Sequence, residues 1–153
     1  MRVFASCVAL ATLLAGGGVL APAARAIDTI PSATAPDLTS VRAKIKAKDF
    51  KGALAELTPM LATHQDADVY NLMGFSLRKT GDYKQAYTFY RKALEFDPAH
   101  KGALEYLGEL YVETGQIDKA KENVALLKML CPGGCEELED LEEAIAKVAP
   151  KVN

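Results

Sequence analysis

The feature that most constrains this chain of 153 residues is a pattern written twice between Ala67 and Pro132. Gly74 recurs as Gly108, Thr80 as Thr114, Gly81 as Gly115, Ala86 as Ala120 and Pro98 as Pro132, always 34 residues on. Bulky residues return at the same spacing without being identical: Tyr70 with Leu104, Met73 with Leu107, Leu77 with Tyr111, Tyr83 with Ile117, Tyr90 with Val124. Self-similarity at a period of this length points to stacked helical units, each too small to bury its own apolar face.

One unit can be built from its residues. Tyr70, Met73, Gly74 and Leu77 fall three and four apart and so share one face of a helix. Thr80-Gly81-Asp82 stops that helix, because glycine accepts the left-handed backbone of a C-terminal cap. Tyr83, Ala86, Tyr87, Tyr90, Ala93 and Leu94 form the packing face of a second helix, which Asp97-Pro98 ends. Gly74 and Ala86 are small enough to let the two helices approach closely. This order of large residue, large-Gly pair, large residue, turn glycine, alanine, aromatic and proline resembles the tetratricopeptide repeat family, over Ala67–His100 and again over Lys101–Gly134. Leu127 stands where a small residue is usual, which either loosens the packing locally or suits a neighbour beyond the last repeat.

A worn copy precedes these two. Asp49-Phe50 mirrors Asp82-Tyr83 and Ala53 mirrors Ala86, but Val41 replaces the helix-pair glycine and Lys48 the turn glycine. Pro59 falls inside the second helix and removes a backbone donor. Residues 37–66 are therefore expected to form a degenerate first repeat with a kinked second helix. After the repeats, Leu138, Leu141, Ile145 and Val148 make one apolar stripe under an acidic outer face, so residues 135–149 read as a capping helix. The expected fold is all-α. The resemblance implies a right-handed α-solenoid of about three helix-turn-helix repeats (37–66, 67–100 and 101–134) plus that cap.

Residues 1–26 have the anatomy of a cleaved secretory signal peptide: Arg2, the apolar or small run Val3–Leu20, and the small-x-small site Ala24-Arg25-Ala26. Gly16-Gly17-Gly18 and Pro22 argue against a membrane anchor. Residues 27–36, with their prolines and small polar residues, read as a flexible tether. The expected location is the periplasm or the outside of a bacterial cell. The net charge of −2 becomes more negative once Arg2 and Arg25 leave, so there is no electrostatic case for nucleic acid or an anionic membrane surface.

With Cys7 removed, Cys131 and Cys135 are an even pair in an oxidising compartment, most simply a structural disulfide. A thiol-redox or copper-handling role for the same pair is the alternative. No nucleophile–base set, phosphate loop or metal-ligand cluster appears, so no cofactor and no enzymatic activity are expected. His64 and His100 fall in inter-repeat turns and are expected to be solvated.

The resemblance also implies that the first helix of each repeat lines a concave face, where the family usually binds extended peptides or helices of partner proteins. Helical spacing projects Arg42, Ile45 and Lys46 onto that face from the worn repeat. Asn71, Phe75, Arg78 and Lys79 follow from the second repeat, then Glu105, Tyr106, Glu109 and Glu113 from the third. The groove is thus expected to be basic at one end (Arg42, Lys46, Arg78, Lys79) and acidic at the other (Glu105, Glu109, Glu113), with Phe75 and Tyr106 between. One subset of the family grips a terminal carboxylate with Lys, Asn and Arg; Asn71 fits that set, but Phe75, Gly102 and Tyr106 do not. The functional expectation is an exported protein-interaction scaffold, with self-association through uncovered apolar ends as a further route to contact.

Overall fold

The structure, a computed structural model, describes residues 35–148. The expected signal peptide and nearly all of the tether lie outside them. The described residues form seven helices and no strand: α1 Thr39–Lys46, α2 Phe50–Met60, α3 Ala67–Lys79, α4 Tyr83–Phe96, α5 Lys101–Glu113, α6 Ile117–Leu130 and α7 Glu136–Val148. Consecutive helices pair as α1/α2, α3/α4 and α5/α6, and each pair packs on the next through α2 against α3 and α4 against α5.

The recurring residues do local work. Gly81 (φ 88°) and Gly115 (φ 75°) take the left-handed backbone that turns the chain between paired helices. Lys48 occupies the same place in the first repeat at φ 61°, a conformation that costs an L-residue about 1–2 kcal/mol. Thr80 and Thr114 donate their hydroxyls to carbonyls of the turn before, Leu77 O at 2.9 Å and Leu110 O at 2.7 Å, and so satisfy helix ends. Asp49, Asp66 and Asp82 accept from backbone N–H groups at the starts of α2, α3 and α4, each such cap contributing about 1 kcal/mol. Pro59 lies in the last turn of α2, which spans 11 residues where α4 and α6 span 14. The helix stops after Pro59 instead of running on past it.

Close packing explains the helix-pair glycines. A Cβ on Gly74 would sit 2.7 Å from the Tyr90 ring, and one on Gly108 2.5 Å from Leu141 of α7. Leu127 is fully buried in a cluster with Leu104, Val124, Leu138 and Leu141, so the large residue suits the neighbour beyond the last repeat. Two parts of the expected packing faces need correction. Tyr83 and Tyr87 are each 41% exposed and lie on the outer side near Tyr111, while Ala86, Tyr90 and Ala93 carry the α4 contact. Val148 is 53% exposed, so the apolar stripe of α7 ends at Ile145.

The placement of α7 positions the site. It packs on α6, as a cap should, but more extensively on α5. The cap therefore leans over a first helix, on the side that α1, α3 and α5 present together.

Candidate functional site

The expected groove residues divide between two places on that side. Toward the C-terminal ends of α3 and α5, Arg78 is 3% exposed and its guanidinium reaches across to two carboxylates. Nη1 donates to Glu113 at 2.7 Å and Nη2 to Glu109. Burial alone would lower the Arg78 pKa; the neighbouring Tyr90, Glu109 and Glu113 more than offset it, and the pKa is raised. Phe75 packs 4.8 Å from the Tyr106 ring and edge-on to Phe50 of α2 at 6.2 Å. Arg78 lies 5.6 Å from the Phe75 centroid, and the Lys79 ammonium 5.2 Å, within cation–π range. The expectation of a basic end facing a free acidic end is therefore corrected. Arg78 is not an open charge, because Glu109 and Glu113 sit one repeat along at the reach of its side chain and neutralise it.

At the N-terminal ends of α3, α5 and α7 there is a cavity of about 300 Å³. Arg42 reaches it from α1 and pairs with Asp68 at 3.1 Å. Asp68 also meets His100 Nε2 at 3.0 Å, while His100 Nδ1 accepts from the Ala103 N–H at 3.0 Å. His100 is thus a helix cap fixed by a carboxylate, and the expectation of a solvated histidine is corrected for it; His64 is half-buried and meets the Thr63 hydroxyl at 2.8 Å. Asn71 is 5% exposed, and its amide oxygen has no donor among the described residues. Glu105, 7% exposed, is covered because α7 lies across it. Its carboxyl is pushed up to about 8, first by burial and then by Glu109, Asp140 and Glu137. Tyr106 rises to about 12 for the same first reason, with Glu105 and Glu109 adding to it. The acidic ridge expected from Glu105, Glu109 and Glu113 does not exist as such: one member is buried and the other two are paired with Arg78.

Lys46 is exposed in the last turn of α1, and Ile45 is partly buried against the core. Cys131 and Cys135 are disulfide-bonded and pack beside the Leu127–Leu141 cluster, and neither lines the cavity. Among the described residues no group of three His, Cys, Asp or Glu side chains is placed to hold a metal ion, and no helix is long and apolar enough to cross a membrane.

The tetratricopeptide repeat family profile matches residues 77–130, from the end of α3 through α6. Residues 77–130 of the chain thus carry the tetratricopeptide repeat pattern. Its repeats are similar in fold to the second tetratricopeptide repeat domain of human RPAP3, solved by NMR in complex with the HSP70 peptide SGPTIEEVD. The TM-score is 0.60 at 18% identity, over 69% of this chain and 88% of that one. A search of curated proteins finds no match.

Sequence reasoning missed Asp68, His100, Glu137 and Asp140 as groove neighbours. The acids of α7 read as a solvated outer face, because nothing in a single helix tells how far a cap leans over the repeat before it. His100 carried a usable signal: a histidine just before a helix can accept from its first-turn N–H groups.

Proposed function

We propose that the chain is an exported, non-enzymatic scaffold that holds an extended peptide or a helix of a partner protein along the face built by α1, α3 and α5. The observation that carries this reading is the half-buried aromatic pair Phe75–Tyr106 joining two first helices, flanked by the exposed cation Lys79 and by the cavity that Tyr106 and Asn71 line. Half-buried aromatics beside a concavity supply contact area at low entropic cost, as interface anchors do. The similar RPAP3 domain is in complex with a peptide. Export is supported by residues 1–26 and by a cysteine pair suited to an oxidising compartment. The bonded sulfurs pack against leucines, which favours a structural part for them over redox or copper chemistry.

The test is position-dependent photo-crosslinking in the cell envelope. A benzoylphenylalanine replacing Lys79 should capture a partner that one replacing Tyr83, on the outer side, does not, and Phe75→Ala should abolish the capture. Equal capture from both positions would refute the groove, and intact mass starting at Met1 instead of Ile27 would refute export.

A further inference from the structure

Resting on that reading, we infer that the cavity between α3, α5 and α7 is a pocket for one cationic side chain, lysine or arginine, of the bound segment. The charges already spoken for leave an acidic remainder. Arg42 and His100 are both engaged by Asp68, and the nearest lysine, Lys101, reaches Glu137 at 3.9 Å. Among the described residues no cation is in ion-pair contact with Glu105 or Asp140, which face the same space.

An independent observation points the same way. Asn71 lines the cavity, almost fully buried, with an amide oxygen that no donor among the described residues satisfies. A buried acceptor without a partner is costly, and a ligand donor would relieve that cost. A half-turn of the amide presents that oxygen to the cavity, and the space is kept open by Gly102. A Cβ there would lie 3.3 Å from the Asn71 amide nitrogen and 3.6 Å from the His100 ring. Leu72 and Tyr106 offer apolar wall for the methylene stem that lysine and arginine carry behind the charge.

Other occupants fit less well. Helix N-termini attract anions through free N–H groups, but those of α3 and α5 are already capped by Asp66 and His100. A bare metal ion lacks a set of three ligands among the described residues. An organic cation with several N–H donors matches one carboxyl, one carboxylate and one amide oxygen. Because burial holds the Glu105 carboxyl near 8, seating the cation releases a proton, and affinity rises between pH 6 and pH 9. Glu109 beside it and Glu137 and Asp140 on α7 push that carboxyl up, while Arg78 on α3 draws it down; Arg42 on α1 and His100 are held by Asp68.

The experiment pans a randomised peptide library on phage against the full chain, then measures the selected peptides with lysine or arginine exchanged for norleucine. Peptides carrying a basic residue at one fixed position, losing at least tenfold in affinity on that exchange, are expected. The discrimination should fall to less than threefold in Glu105→Gln, or in Asp140→Asn, whose side is exposed and whose folding is not at stake. Selected peptides without a basic residue, or a discrimination unchanged in both variants, would overturn the pocket while leaving the groove standing. Recovery of no peptide at all would remove both.

Discussion

Glu105 makes the stability of the free protein depend on pH in a direction that can be worked out. Its carboxyl sits near 8 in the folded chain against an ordinary 4.5, chiefly because burial under α7 disfavours the charge. The folded chain therefore binds this proton more tightly than the unfolded one. The associated stability is fully present below about 4.5 and is lost as the pH rises through about 8. At about 1.4 kcal/mol for each tenfold in proton affinity, the whole difference is about 5 kcal/mol. Relaxation and water penetration reduce such penalties in real proteins, so we expect about 2–4 kcal/mol. Glu105→Gln keeps the shape and hydrogen-bonding capacity of the neutral carboxyl and removes the titration. Urea unfolding of both proteins at pH 5, 7 and 9 should give nearly equal stabilities at pH 5 and a variant more stable by about 2–4 kcal/mol at pH 9. Comparing the two proteins cancels every other group that titrates in the range. A difference constant within about 0.5 kcal/mol from pH 5 to pH 9 would show that α7 does not cover the carboxyl.

Further expectations concern the frame around the site. Lys48→Gly removes a left-handed lysine and should raise stability by about 0.5–1 kcal/mol net of the glycine's greater unfolded entropy, read from chemical denaturation. Gly108→Ala puts a methyl against Leu141 and should cost about 1–3 kcal/mol in the same assay. Arg78→Met keeps an apolar stem beside Phe75 and Tyr106 but strands Glu109 and Glu113; a loss of about 1–3 kcal/mol is expected from melting curves. Replacing Cys131 and Cys135 by Ser should cost about 1–2 kcal/mol while peptide selection continues to recover binders.

The helices and their pairing were legible in the sequence because backbone rules act locally. Gly81, Gly115 and even Lys48 had to turn the chain, and the 34-residue return of Gly74 as Gly108 marked a tight approach. What could not be read was which partner fills each approach. Gly74 receives Tyr90 of its own hairpin, but Gly108 receives Leu141 of the cap. The same lean buries Glu105, so a residue projected onto an open ridge became part of a pocket wall. Arg78 was legible as a groove position but not as a closed charge, since its pairing with Glu109 and Glu113 spans two repeats. The exposure of Tyr83 and Tyr87 has a related cause: they flank the α4 stripe, and only contact with α3 distinguishes centre from edge.

The short ring closed by Cys131 and Cys135 has a consequence for how the protein matures. It sits at the joint between α6 and α7, and α7 carries Glu137 and Asp140, one whole side of the cavity. That side is tied to the repeats by a bond that only an oxidant can make, unlike the packing that holds the other helices. Before that bond forms, the final helix is held by Leu138, Leu141 and Ile145 and by the Lys101–Glu137 and Lys128–Glu142 ion pairs, with Gly133-Gly134 at its joint. The geometry of the cavity wall is in this way linked to the redox state of two sulfurs that lie outside the cavity lining.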